Sequence, residues 1–232
     1  MNTQQNGIGT VLVTGGASGL GAATVDAVAA ARGRPLVLDL VPPPAEVSYS
    51  IVDLADGRAA ETAVRELAEQ TGGLDAVVTA AGIDRCGQLG LVSAEEWERV
   101  VAVNLLGTVA VVRAALPYLQ RSHGKVVTVG STLGIKAVSD ATAYCASKFG
   151  VVGFTRALAA ETAGRIGVTL LIPGGMSTAF FDDRDEQYKP PPDAKLNSAA
   201  DVAQTVLTVL RQPAGCEIRE LVVCASEEPS WP

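Results

Sequence analysis

The order in which short apolar runs alternate with longer helical stretches constrains this chain more than any other feature. Runs rich in Val and Leu occur at Thr10–Thr14, Pro35–Leu40, Ser48–Asp53, Ala76–Ala80, Lys125–Gly130, Val168–Ile172 and Leu221–Cys224, with helical patterns between them. Strands separated by helices cannot pair as hairpins; they pair in parallel, with the crossover helices packed on the sheet faces. The expected fold is therefore α/β, a doubly wound parallel sheet of about seven strands with helices on both faces. Covering a sheet on both sides takes much apolar material, and 48% hydrophobic residues supply it. A length of 232 residues suits one such domain spanning 1–232.

Two helical stretches, Ala94–Arg121 and Asp140–Gly164, are apolar on more than one face. Each asks for a burial partner beyond the sheet, so a homodimer or homotetramer through them is expected. The apolar runs Val100–Val103 and Leu105–Ala110 are interrupted by Asn104 and Gly107, so no membrane span is expected. Met1–Thr10 lacks the basic and apolar regions of a secretion signal, which points to the cytoplasm. Cys86, Cys145, Cys216 and Cys224 form no CxxC pair, so free thiols and no metal site are expected. A net charge of −7 without a basic run disfavours nucleic acid as a partner. Residues 177–197 are polar, carry Asp182, Asp183, Asp185 and Glu186, and lie between a strand and a helix, the usual place of a substrate loop.

The first strand runs directly into Thr14-Gly15-Gly16-Ala17-Ser18-Gly19-Leu20-Gly21, and a helical pattern begins at once. A diphosphate needs backbone N–H groups unobstructed by Cβ atoms and gains from the positive end of the following helix. Gly15, Gly19 and Gly21 supply the tight turn, the close approach and the helix-to-strand contact. The sheet is thus expected to be Rossmann-like and to bind a dinucleotide. Asp39 ends the second strand, eighteen positions after Gly21, where an acid bonds the adenosine ribose and repels a 2′-phosphate. With no Lys or Arg in the turn, NAD(H) is favoured over NADP(H).

Tyr144 and Lys148 stand at i and i+4 on an expected helix, so both project from one face. A phenol, ordinarily near pKa ~10, becomes a more useful acid or base when a nearby ammonium stabilises the phenolate. Ser131 lies thirteen positions earlier at the end of the strand Val126–Val129, where its hydroxyl can donate to a substrate oxygen. Asn104 is a polar amide inside an apolar helix and must find partners; it is either structural glue or part of a proton relay.

In order and spacing these residues resemble the short-chain dehydrogenase/reductase family, over Val11 to Cys224. The match comprises TGGASGLG at 14–21, Asp39, Asp53 after the third strand, Ala80-Ala81-Gly82 after the fourth, Asn104, Ser131, Tyr144-x-x-x-Lys148, and Pro173-Gly174 with Thr178. The resemblance implies an oxidoreductase that moves a hydride between a nicotinamide cofactor and an alcohol or ketone. It makes Tyr144 the general acid/base, with Lys148 lowering its pKa and holding the nicotinamide ribose. Ser131 would polarise the carbonyl, and Asn104 would anchor a water relay. The cofactor would lie on Gly15, Ser18, Gly19, Leu20 and Gly21, with Asp39, Asp53 and Leu54 toward the adenosine. Ala81, Gly82, Pro173, Gly174 and Thr178 would line its nicotinamide half. One departure is Thr79-Ala80-Ala81-Gly82, where the family often reads Asn-Asn-Ala-Gly; it removes side-chain hydrogen bonds between neighbouring strands.

A lone His123 after a long helix reads as structural, and Cys145 points away from Tyr144 as packing. Trp231 and the tail 227–232 either dock on a neighbouring subunit or fray. The competing reading is a catalytically silent dinucleotide sensor, which has no physical need for Asn104, Ser131, Tyr144 and Lys148 together. A sugar-nucleotide epimerase or dehydratase would need a larger C-terminal region than residues 175–232.

Overall fold

A computed structural model describes residues 7–228, 230 and 231. In chain order the elements are β1 Thr10–Thr14, α1 Gly19–Ala30, β2 Arg34–Asp39, β3 Ser48–Ile51, α2 Gly57–Thr71 and β4 Ala76–Thr79. There follow α3 Ala94–Val101, α4 Thr108–Ser122, β5 Lys125–Val129, α5 Thr142–Glu161 and β6 Gly167–Pro173. The chain closes with β7 Met176–Ser177, β8 Asn197–Ser198, α6 Ala199–Leu210 and β9 Glu220–Val223. Seven strands form one parallel sheet in the order β3-β2-β1-β4-β5-β6-β9. The seven expected strands are all present, their ends differing by one or two residues.

The central strand shows why both faces are covered. Val11, Leu12 and Val13 are wholly buried, and because successive side chains alternate, they serve two cores. Leu12 joins Leu36, Leu38, Val64, Val111 and Leu119 beneath α2 and α4. Val11 and Val13 join Val25, Val28, Val206 and Leu207 beneath α1 and α6. Burying each such aliphatic side chain contributes roughly 1.5–3 kcal/mol.

The order in which strands are added reverses at β1, which pairs in parallel with β2 on one flank and β4 on the other. At such a switch point the connections part and leave a crevice at the carboxyl ends of the strands. The helices entering that edge start differently. Asp56 caps α2 by accepting from the N–H groups of Arg58 and Ala59, Ser93 and Glu96 form a reciprocal capping box on α3, and Ser198 caps α6. By contrast, α1 begins at Ser18 with no side-chain cap and no acid in its first turn.

The single helix expected over Ala94–Arg121 is instead two helices joined by a π-helical segment, Ala102–Gly107, centred on Asn104. Taken as one stretch, Ala94–Ser122 contains an 18-residue window of mean hydropathy 1.8, long and apolar enough by length and composition to cross a membrane. The interruptions at Asn104 and Gly107 therefore do not shorten it as the sequence suggested. Its apolar side chains are spent inside the fold, where Val103, Ala110, Val111, Val112, Ala115 and Leu119 are buried. His123 closes α4 in the left-handed conformation (φ 51°), and the four cysteines are free thiols. The segment expected as a substrate loop is clipped at both ends, because β7 pairs with β8 through Met176–Asn197 and Ser177–Ser198.

Candidate active site

The glycine turn is built from contacts that exclude any other residue. Gly15 has φ 69°, and a Cβ there would lie 2.8 Å from the Ala81 Cα; a Cβ on Gly21 would lie 1.9 Å from the Gly15 carbonyl oxygen. The turn is tied to its neighbours by the Gly15 N–H donating to Leu38 O (2.9 Å) and the Ala17 N–H donating to Asp39 Oδ2 (2.9 Å). Asp39 Oδ1 also accepts from the Leu40 N–H at 2.7 Å, so this strand-end carboxylate braces the turn. The outcome is an uncapped helix start approached by bare backbone, the geometry that suits a diphosphate.

Sixteen of the seventeen residues singled out from the sequence border one cleft of about 770 Å³ along the carboxyl edge of the sheet. Only Asn104 does not line it. Its amide lies behind the wall, 1% exposed, with Oδ1 accepting from the Ile83 N–H (2.8 Å) and Nδ2 donating to Ile83 O (2.9 Å) and Ser147 Oγ (3.0 Å). That side chain clamps the backbone after Gly82. The Asn104 carbonyl meanwhile accepts from Thr108 Oγ1 at 2.8 Å.

At the other end of the cleft, Ser131 follows β5, 8% exposed, its Oγ accepting from the Leu133 N–H at 3.1 Å. Tyr144 is half-buried and Lys148 is 4% exposed, both on α5. The Lys148 ammonium donates to Val129 O at 2.9 Å and stands 5.6 Å from the centre of the Tyr144 ring. Burial lowers Lys148 to about 8 and pushes the Tyr144 phenol up to about 12, the Ser131 hydroxyl working in the opposite direction. Loss of water around the phenol, rather than the Lys148 ammonium, sets the direction of the Tyr144 shift here.

The remaining residues line up along the cleft. Asp53, held below the usual carboxylate range by the Ala55 N–H and then by Arg99 at 3.0 Å, stands beside buried Leu54. Gly82 faces Asn104 Oδ1 and Lys148 Nζ, each 3.6 Å from where a Cβ would be. Thr178 caps a short turn at Ala179–Phe181 and lies over Gly19. Thr14 Oγ1 accepts from the Ala81 N–H at 3.1 Å, while Thr79 Oγ1 is buried without a hydrogen-bond partner among the described residues.

Sequence reasoning missed two contributors. Arg184, from the loop, and Glu228, from the tail, both line the cleft. Glu228 Oε2 accepts from the Gly175 N–H at 2.9 Å, and Oε1 accepts from Ser230 Oγ at 2.6 Å. Ser230 Oγ is also 2.7 Å from Thr132 Oγ1, next to Ser131. Burial raises Glu228, but these donors outweigh it and hold the carboxyl below its ordinary value. Glu228 and Ser230 of the tail are therefore bonded to the chain's own site; residues 229 and 232 lie outside the described residues. Arg184 was legible only as one of three cations, with Lys189 and Lys195, among the loop's acids, and Glu228 carried no pattern. No group of three or more His, Cys, Asp or Glu among the described residues is placed to hold a metal.

Comparison with known proteins shows the family and the fold. Residues 9–189 match the family model for short chain dehydrogenases. The chain is 30% identical to the (2S)-[(R)-hydroxy(phenyl)methyl]succinyl-CoA dehydrogenase subunit of Thauera aromatica, covering 88% of this chain and 90% of that one. It is 31% identical to the D-beta-hydroxybutyrate dehydrogenase of Cupriavidus necator, covering 89% and 84%. Among solved structures, a short chain dehydrogenase from Burkholderia cenocepacia in complex with NADP superposes with a TM-score of 0.82, at 27% identity over 95% of this chain and 98% of that one.

Proposed function

The chain belongs to the short-chain dehydrogenase family, and from that premise we propose that its cleft transfers a hydride between NAD(H) and an alcohol or carbonyl carbon, with Tyr144 as general acid and base. One observation carries the reading: Ser131, Tyr144 and Lys148 meet at the carboxyl end of β5, in the same cleft as the bare glycine turn. The residues fit a dinucleotide, since the start of α1 is left uncapped and a Cβ at Gly15 or Gly21 would collide with backbone. Gly15, Ser18, Gly19, Leu20 and Gly21 would hold the diphosphate, and Asp39, Asp53 and Leu54 the adenosine half. Ala81, Gly82, Pro173, Gly174 and Thr178 would flank the nicotinamide half. When bound, the dinucleotide supplies the hydride acceptor or donor.

The chain's own residues handle the proton and the oxygen. The Ser131 hydroxyl, with its lone pair engaged by the Leu133 N–H, keeps its proton for the substrate oxygen. Tyr144, protonated at neutral pH, donates to that oxygen in reduction and must lose its proton before it can accept one in oxidation. Lys148 spends one of its three protons on Val129 O and keeps the others for ribose hydroxyls. Asn104 acts behind them by fixing Ile83.

Asp39 supports NAD(H) over NADP(H): a carboxylate braced at the end of β2, with no cation in the turn, repels a 2′-phosphate. Self-association into a dimer or tetramer through the α3–α4 stretch and α5 belongs to the same reading, because Leu106 and Phe149 stay 58% and 45% exposed on those elements.

The test follows NADH fluorescence on mixing and then substrate-dependent absorbance with a panel of alcohols and ketones. Turnover should fall by about 10²–10⁴-fold in Tyr144→Phe while NADH binding persists. Binding of NADH without turnover of any panel member would favour the silent sensor instead.

A further inference from the structure

Arg184 has its charge answered and one of its donors left over. Its Nη2 donates to Asp84 Oδ2 at 2.6 Å, and its Nη1 to Tyr188 O at 3.2 Å. Its Cζ lies 4.7 Å from the Phe181 ring centre and 5.2 Å from that of Phe180. The Phe180 ring in turn meets the Tyr144 ring at 5.8 Å. The Arg184 side chain is 17% exposed and that of Asp84 only 4%, yet Arg184 borders the cleft while Asp84 stands behind it. Arg184 Nε is buried and has no hydrogen-bond partner among the described residues. A buried donor without an acceptor is disfavoured, and one that persists beside a reaction site calls for an acceptor from outside the chain.

We propose that Arg184 Nε reads the substrate: it donates to a neutral carbonyl oxygen, of an ester, thioester or ketone, carried by the same molecule whose reacting carbon meets Tyr144. This rests on the hydride-transfer reading above and narrows its substrate class. The acceptor is neutral because Asp84 has already cancelled the guanidinium charge, leaving a directional N–H rather than a positive field. A carboxylate drawn to Nε would stand close to the Asp84 carboxylate and be repelled by it. Asp193, Glu227 and Glu228, also on the cleft wall, add to that repulsion more than Lys195 relieves it. The Phe180 and Phe181 rings offer the carbon chain between the two oxygens an apolar surface.

A purely structural Arg184, latching the loop onto Asp84, would not sort substrates by their acceptor. The full-length chain is therefore assayed with NAD⁺ on matched secondary alcohols: plain, methyl ester and carboxylate, with the acceptor two, three or four bonds from the carbinol carbon. At the best-fitting position the ester should exceed both the plain alcohol and the carboxylate in kcat/KM by about tenfold or more. Arg184→Met should shrink the ester's advantage over the plain alcohol to about twofold or less. Asp84→Asn, which keeps the shape and uncovers the guanidinium charge, should raise the carboxylate relative to the ester. The Asp84→Asn ratio carries the test if Arg184→Met loses NADH binding. The proposal is overturned if no ester outperforms its plain alcohol in the wild type, or if the Arg184→Met ester advantage is intact. Turnover of plain alcohols alongside either result leaves the hydride-transfer reading standing; no turnover of any alcohol or matching ketone sinks both.

Discussion

A lysine with 4% of its surface exposed has lost most of the water that stabilises its charge, and the carbonyl of Val129 returns only part of that stabilisation. Lys148 is accordingly lowered to about 8 from 10.5. Between those two values the unfolded chain binds more protons than the folded one, so stability rises with pH across that window. Below pH 8 the buried charge costs about 3 kcal/mol. For Tyr144, raised to about 12 from 10.0, the sign reverses and stability falls between those values. Urea titrations at stepped pH should show the rise from 8 to 10.5 in the wild type and its loss in Lys148→Met; a flat wild-type profile would contradict the burial argument. Gly21→Ala is harsher, because a Cβ 1.9 Å from the Gly15 oxygen forces the turn open. We expect it to cost upward of about 2 kcal/mol and to abolish NADH binding, read by melting and by fluorescence. At this scale the sequence disclosed whatever is local: Tyr144 and Lys148 share a helix face by spacing alone. Arg184 was hidden because the residue that defines it, Asp84, is 100 positions away.

Five of the seven strands were legible because a strand buried on both faces is a continuous apolar run, and β1, β2, β4, β5 and β6 are such runs. The π-helical segment was not: Asn104 within it is tied to Ile83, 21 positions earlier, by two contacts that no helical periodicity records. The two-residue β7 and β8 were too short to leave a pattern, although their pairing pins the ends of the loop. Through that clamp Asn104 holds the chain after Gly82 against the π-helical segment. Asn104→Ala leaves the Ile83 N–H and carbonyl without partners and should destabilise the fold by on the order of 2–4 kcal/mol. Denaturation should report that loss, with faster hydrogen exchange at Ile83 than in wild type; unchanged exchange there would show that the clamp is dispensable. The tail is the other element the sequence left open. Glu228→Ala should free the Gly175 N–H and loosen residues 226–231, seen as faster proteolysis of the C-terminus.

At the scale of the whole molecule, net charge and apolar surface pull in opposite directions. A charge of −7 makes copies of the chain repel each other, whereas Leu106 and Phe149 present large apolar groups on the α3–α4 stretch and on α5. Scattered exposed hydrophobics are ordinary, but two long stretches that are apolar beyond the face they pack on the sheet have surface to bury against another copy. If association is driven by that surface and opposed by long-range repulsion, added salt screens the repulsion and leaves the apolar term intact. Sedimentation velocity should then find a dimer or tetramer whose dissociation constant tightens as salt rises from low to physiological strength. Leu106→Glu together with Phe149→Glu should return monomers at every salt concentration, because the change removes apolar area and adds to the repulsion at once. An assembly that loosens with salt would instead mean that ion pairs join the copies, and a wild-type monomer would leave both helical faces to water.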